Sequence, residues 1–392
     1  MKDESEFAKA EHVTSPSSPS DRRSEFDFIN GIRQRALHRN RSIESGKPSP
    51  FILHPSSLPA PSSFIPHPSS LLVGLGDDAA VIREIAGRDS LITTDLLVED
   101  IDFHRDTTTP RLLGHKALAV SLSDIAAMGG RPQWALLSLG IPNDIWNSDS
   151  LDGFYEGFFA LADRYGVNLV GGDLSRTPEK LVIDSIVMGQ CANGRAIRRG
   201  GARAGDHLFV TGSLGGSAAG LRLLERGARV LPETAIPNAI DPDSQSVRQL
   251  LLRHLRPEAR VGWGLVLGEE QLASAMIDIS DGLSSDIHHL CKESDVGALI
   301  DAARIPIDPL VAAICGRRAL DPLLLALHGG EDFELLFTIP PEKVTALPKT
   351  VDGVSISRIG EISDEAGRVS VVEKDRVWHL EPKGFDHFRH TG

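Results

Sequence analysis

The sequence predicts an α/β fold of the α+β kind, with mixed sheets flanked by helices in two successive halves. Three observations predict it. Short apolar runs rich in Ile, Val and Leu border on Gly and Asp, as strands entering tight turns do: GLGDDAAVI, SLITTDLLVED, VNLVGGDLSR and MIDISDG. Helix-length segments alternate with these runs, and a second similar set follows the first, which calls for packed layers of both kinds. One helical segment, GHKALAVSLSDIAAMGG, is apolar on nearly every face and must be buried.

Composition bounds what the layers can do. A chain of 392 residues has length for one large or two medium domains. Its formal charge of −13 argues against a nucleic-acid-binding surface. The three cysteines, Cys191, Cys291 and Cys315, are far apart and form no CxxC pair, which excludes a disulfide framework or zinc site as the organising feature. No apolar run reaches the length of a membrane span, and the acidic start MKDESEFAKAEH lacks a signal-peptide core. A soluble cytoplasmic protein is the expectation.

In order along the chain, residues 1–23 are Ser/Pro-rich and predict a disordered extension. Residues 24–38 predict a helix, with Phe26, Ile29, Ile32 and Leu37 at helical spacing and Ser24 as N-cap. A Pro/Ser-rich insertion follows at 39–71, where SPFILHPSSL is nearly repeated as SSFIPHPSSL. His54 and His67 recur with that repeat, a coincidence the duplication itself explains. Ala79–Ile82 and Leu91–Ile92 read as neighbouring strands, and the buried helix runs from about 114 to 128, closed by Gly129 and Gly130. Strands at 134–142, 167–176 and 181–191 and a helix at 150–165 complete the first half. The second half opens with a strand at His207–Val210, a Gly-rich turn and a helix from Ser217. That helix start resembles a phosphate cradle, but no G-x-x-x-x-G-K-[ST] occurs, and a plain structural turn is the favoured reading. A strand and helix at 276–291 and an apolar strand after GGED follow; His288 and His289 face different sides of their helix and are not expected to be ligands.

The aspartates carry the chemistry. Asp78 and Asp95 border the first strands, Asp173 stands at a strand end after Gly171 and Gly172, and Asp278 and Asp281 flank Ser280 at a helix start. Asp124 lies in the C-terminal half of the buried helix, where the helix dipole disfavours an anion and an unpaired carboxylate is costly. Either a metal ion or an Arg or Lys must face it. Carboxylates brought together repel unless a cation lies between them, and such hard oxygen ligands suit Mg²⁺, which often arrives with phosphate.

GDDAA, TTDLLVE, KALAVSLSDIAAMG, LVGGDLSR, IDISDGLSSD and GGEDFELLF, in this order and spacing, closely resemble the thiamine-monophosphate kinase family, within the aminoimidazole ribonucleotide synthetase superfamily. The resemblance spans about 24–37 and 72–388. It implies a two-domain aminoimidazole ribonucleotide synthetase-like fold, with an ATP/Mg-binding and dimerisation domain at 72–197 and a C-terminal domain with a substrate-facing tail at 198–392. It implies transfer of phosphate from ATP to thiamine phosphate in a homodimer, with several Mg²⁺ ions held by Asp78, Thr93, Thr94, Asp95, Asp124, Asp173, Asp278 and Asp281. Gly172, Asp173, Arg199 and Ser280 match ATP-contacting positions; Glu331 and Phe385 match positions facing thiamine phosphate. No covalent nucleophile is expected.

The chain departs from the family at LLVEDIDFHRD, where Asp102 occupies the position of a substrate-facing His and His104 follows two residues later. Strand alternation would put both on one face. Other readings are a sister ATP-using enzyme of hydrogenase maturation or selenophosphate synthesis, a metal-dependent phosphohydrolase, and a non-catalytic nucleotide-binding protein. GGED and KGFDHF argue against the sister enzymes, and the absence of a Cys before Cys191 argues against selenophosphate synthesis.

Overall fold

The computed structural model describes residues 31–32, 34–35, 71–73, 81–82, 85–230, 242–318 and 320–385. The predicted extension at 1–23, Asp78 and nearly all of the repeat insertion lie outside them. Of the predicted N-terminal helix, 31–32 and 34–35 are described and helical, with Ile32 in the core.

Four strands make the first sheet: β3 (Arg88–Val98), β4 (Arg131–Ile141), β5 (Asn168–Arg176) and β6 (Val182–Ala192), in the order β3-β6-β4-β5. The β4–β5 pair is parallel and the other two are antiparallel, so the sheet is mixed. Helix α1 (Pro110–Ala127) packs on its inner face. Thr109 caps α1 by accepting a hydrogen bond from the Leu112 N–H at 3.3 Å, and Pro110 sits where no backbone donor is needed. After the short α2 (Asn143–Trp146), α3 (Ser150–Tyr165) packs against α1 backbone to backbone. A Cβ at Gly114 or Gly157 would lie 1.8 Å from a carbonyl oxygen of the facing helix, so glycine alone permits the approach.

The two strand runs flanking the first aspartates are not neighbours. β2 (Val81–Ile82) pairs with β1 (Leu71–Val73) in a separate two-stranded ribbon, while β3 pairs with β6 some ninety residues on. Both runs are apolar enough to be strands, but a local pattern does not name the partner.

The second half is built on an eight-stranded sheet. Its strands are β7 (His207–Thr211), β8 (Ala275–Asp278), β9 (Gly297–Asp301), β10 (Leu335–Ile339), β11 (Thr350–Val351), β12 (Val354–Ser363), β13 (Val369–Glu373) and β14 (Arg376–His379). The order is β14-β13-β9-β12-β7-β10-β8, with β11 on β12; β13–β9 is parallel and the rest antiparallel. Helices α4 (Gly216–Glu225), α5 (Pro242–Leu255), α6 (Val261–Glu269), α7 (Leu283–Ser294), α8 (Pro309–Arg318) and α9 (Pro322–His328) complete it. The mixed sheets flanked by helices that the sequence predicts are present.

The two halves share a core. Trp263 of α6 stacks on Phe337 of β10, which stacks on Phe209 of β7, in one apolar cluster with α1, α3 and the first sheet. Gly264 lets α6 lie against the end of α1, since a Cβ there would be 2.3 Å from the Ala126 oxygen. Burial explains the all-round apolar pattern of α1: it touches the first sheet, α3, α6 and β8. The apolar area removed from water at this junction is what keeps the halves together.

Candidate active site

Along β3 the side chains alternate. Leu91, Thr93, Asp95 and Leu97 turn inward, and Ile92, Thr94 and Leu96 turn outward. Inward, Thr93 Oγ1 donates to the Asp124 carboxylate on α1. One residue earlier, Ser123 Oγ donates to Asp278 Oδ2 at the end of β8, at 2.7 Å. Thr93, Asp124, Asp278 and Arg199 thus line one cleft of about 800 Å³, together with Arg198, His289 and Glu293. Five chain segments from both halves of the molecule converge there.

The acids in and beside the cleft are electrostatically strained. Burial, followed by the charges of Asp124 and Asp184, pushes Asp95 up to about 6, against a hydrogen bond from Ser121. Burial pushes Asp124 up as well, with the Thr93 hydroxyl and Arg199 holding it back. Asp278 moves in the same direction through burial and the charges of Asp124 and Asp95, offset by Ser123 and Arg199. Asp286, in the first turn of α7, is pushed up to about 8 by burial and by Asp278 and Asp281, although it accepts a hydrogen bond from Gly282 N–H. Asp95 Oδ2 is buried and has no hydrogen-bond partner. Arg199 is the cation that offsets Asp124, Asp278 and Asp286 alike. Among the described residues, no three His, Cys, Asp or Glu side chains stand close enough to hold one ion as placed.

The remaining predicted site residues divide between two places. Thr94 is on the outer face of the first sheet, where Oγ1 donates to Asp184 Oδ1 at 2.5 Å. Asp173 shares that face: it registers with Ser138, and Ser138 with Asp184. The sheet therefore separates Thr94 and Asp173 from Thr93, Asp95 and Asp124. Gly172 has a steric duty of its own, because at φ 152° a Cβ would lie 2.0 Å from the Leu137 oxygen of β4.

Ser280, Asp281, Glu331 and Phe385 come together through their backbones. Glu331 N–H donates to the Ser280 oxygen at 2.7 Å, and Phe385 N–H to the Asp281 oxygen at 3.1 Å. Phe385 is 54% exposed. The Glu331 carboxylate is already paired, with Lys116 Nζ at 2.7 Å and His254 Nδ1 at 3.0 Å. Burial works against its charge, but Lys116 and His254 hold it well below the usual carboxylate range.

One sequence reading changes here, and one open choice is decided. The Asp102–His104 segment is a turn, not a strand: Asp100 has φ 71° and its N–H donates to the Phe103 oxygen at 2.8 Å. Alternation therefore does not apply. Asp102 Oδ2 accepts from Val98 N–H at 2.8 Å, while His104 Nδ1 lies 3.2 Å from Asp100 on the exposed side. The Gly-rich turn before α4 is structural, as the Asp332 carboxylate accepts from Gly215 N–H at 2.7 Å and Ser217 N–H at 3.1 Å. A helix start already satisfied by a carboxylate leaves those donors no phosphate to cradle.

Sequence reasoning missed Lys116, Arg260, Glu334, His254 and Asp286. Lys116 carried a readable signal: a lysine in an otherwise apolar helix needs a partner as much as Asp124 does. Glu334 and Arg260 form a buried bidentate pair, with Thr211 Oγ1 donating to the same carboxylate at 2.6 Å.

Residues 76–191 match the N-terminal domain, and 203–373 the C-terminal domain, of the AIR synthase related protein family. The thiamine-monophosphate kinase of Escherichia coli (strain K12) is 37% identical over 323 residues, covering 81% of this chain and 92% of that protein. The chain belongs to the thiamine-monophosphate kinase family. A crystal structure of the thiamine-monophosphate kinase from Stenotrophomonas maltophilia K279a is 38% identical with a TM-score of 0.68, covering 78% of this chain and 92% of that one. AaThiL complexed with AMPPCP and TMP is 34% identical with a TM-score of 0.64, covering 76% and 88%. Membership in this kinase family makes the protein an enzyme, with both family domains present.

Proposed function

We propose that this protein transfers the terminal phosphoryl group of ATP directly and in line to thiamine phosphate, yielding ADP and thiamine diphosphate. The observation that carries this reading is the cleft in which Thr93, Asp124, Asp278 and Arg199 meet. It accords with the family, one member of which, AaThiL, is complexed with AMPPCP and TMP.

Donor and acceptor are both anions, so the site needs cations, and Arg199 already offsets Asp124, Asp278 and Asp286. The donor set is carboxylate and hydroxyl oxygen, and Asp95 Oδ2 is a buried oxygen without a partner; both fit Mg²⁺. Asp95, Asp124 and Asp278, with Thr93, are the residues that would hold such ions, with Asp281 and Asp78 as further candidates. Bound Mg²⁺ supplies charge neutralisation between the two phosphate groups. The protein's own part is positioning. Arg199 binds and orients the ATP phosphates, Ser280 contributes a contact to ATP, and the exposed Phe385 faces thiamine phosphate. An acceptor phosphate is ionised at neutral pH, so no general base or nucleophile is required.

The reading extends to a cytoplasmic homodimer paired through the outer faces of the first sheets. Ile92 and Leu96, 66% and 58% exposed, support that, and pairing would enclose Thr94 and Asp173. Light scattering at micromolar concentration checks it, with a dimer expected.

The deciding assay incubates the purified protein with ATP, Mg²⁺ and thiamine phosphate and separates the products. Equal amounts of ADP and thiamine diphosphate are expected. Free phosphate without thiamine diphosphate would mean a phosphohydrolase instead.

A further inference from the structure

Three carboxylates lie between Glu331 and Glu334, and they are held in different ways. Asp332 is bonded to backbone N–H groups of Gly215 and Ser217, and Glu334 to Arg260 and Thr211, all within the second half. Glu331 reaches across. One of its oxygens pairs with Lys116, which belongs to α1 in the first half, eight residues before Asp124 on the same helix. The other pairs with His254, whose Nδ1 also lies 3.1 Å from Ser217 Oγ.

The exposures assign the roles. The Lys116 side chain is 3% exposed and that of Glu331 30%, so the lysine is enclosed and the carboxylate keeps an open side. An enclosed ammonium is tolerated only beside its counter-charge, which fixes each partner by the other. Glu331 also holds φ 60°, a left-handed conformation that a residue with a side chain adopts at a cost. Its N–H is bonded to the Ser280 oxygen, and a Cβ on neighbouring Gly330 would lie 2.5 Å from that same oxygen. Where Glu331 goes, the Ser280–Asp281 turn goes with it.

We propose that Lys116 is a positioning residue for the reaction: acting through Glu331, it sets the thiamine phosphate end of the site against the helix that carries Asp124. Lys116 touches no reacting atom in this scheme. The inference rests on the kinase reading above and adds to it a residue and a route: α1 is tied to the second half both by Ser123 at Asp278 and by Lys116 at Glu331.

The test compares steady-state kinetics in both substrates for the wild type, Lys116→Met, Lys116→Arg, Glu331→Gln and the double variant Lys116→Met/Glu331→Gln, with melting curves run alongside. Lys116→Met is expected to raise KM for thiamine phosphate about tenfold with KM for ATP within about twofold, and Lys116→Arg to recover part of the loss. Because the residues act as one unit, the double variant is expected to be no worse than Lys116→Met alone. The double variant strands no buried charge, so it keeps the comparison with the wild type available if Lys116→Met does not fold. Losses that multiply in the double variant, or an equal rise in both KM values, overturn the inference. Wild-type protein that forms no thiamine diphosphate overturns the kinase reading itself. An active wild type with Lys116→Met indistinguishable from it overturns the inference alone.

Discussion

Asp124 and Asp278 in the cleft, Asp95 beside them and Glu331 in the loop before β10 are all withdrawn from water in whole or part, yet their charges are treated in opposite ways. In the cleft, acids face acids: burial and mutual repulsion raise them, with Arg199 in partial opposition. In the loop, Lys116 and His254 more than reverse the cost of burial for Glu331, and Arg260 forks onto Glu334. Burial alone therefore does not say what a carboxylate is for; the partner does. Glu331 and Glu334 are completed by the chain's own cations, while Asp332, pushed up to about 7 by burial, is held by the backbone N–H groups of Gly215 and Ser217. The cleft acids have the composition to receive cations from outside.

The comparison breaks most visibly at Arg260. Arg260→Met leaves Glu334 buried beside a missing cation and should cost about 3–5 kcal/mol of stability in urea unfolding. Arg260→Met/Glu334→Gln should recover most of that loss. A small cost for the single variant would mean the loop acids are not held by charge.

Arg199→Met probes the other side. The cleft then loses its opposing cation, and KM for ATP should rise about tenfold while KM for thiamine phosphate stays within about twofold. If ATP binding is untouched, Arg199 serves the acids and not the nucleotide.

At the turn after β3, Asp102→Ala should cost about 1 kcal/mol by removing the acceptor of the Val98 N–H. His104→Ala should leave both KM values unchanged, since His104 is exposed and paired with Asp100. A rise in KM for thiamine phosphate in either variant would restore the family contact at this position.

The smallest effect is in acid. The Glu331 pKa is depressed on folding, so its stabilisation is complete above its ordinary value of 4.5 and is lost as pH falls through the folded value. Lys116→Met removes the Lys116 share of that depression and leaves that of His254. Its acid-unfolding midpoint, followed by circular dichroism, should therefore lie a few tenths of a pH unit, roughly, above that of the wild type.

Much of the fold was legible because it is local. The apolar faces of α1 named it as buried, and Asp278 does end β8, but Asp95 and Asp173, expected at strand ends, lie inside β3 and β5, because both strands run on past their aspartates. What sequence could not show is pairing at a distance. Nothing near Val81–Ile82 announces β1 as its partner, and nothing near LLVEDID distinguishes a strand from the turn held by Asp102. In the site, residue types were readable and their sides were not. Thr93 and Thr94 are adjacent in sequence and fall on opposite faces of the sheet. Glu331 matches a substrate-facing position by resemblance, but its partner Lys116 lies more than two hundred residues earlier, where no local pattern names it.

The contrast between the two groups of acids is tested most directly at Asp124, by melting Asp124→Asn with and without Mg²⁺. Asparagine keeps the acceptor for Thr93 and removes a charge that Asp95 and Asp278 both resist. The account predicts a metal-free Tm equal to or above that of the wild type, loss of turnover, and a much smaller rise in Tm on adding Mg²⁺. A fall in metal-free stability of about 3–5 kcal/mol, with the response to Mg²⁺ unchanged, would show that Asp124 is held by a protein cation like the loop acids and would contradict the account.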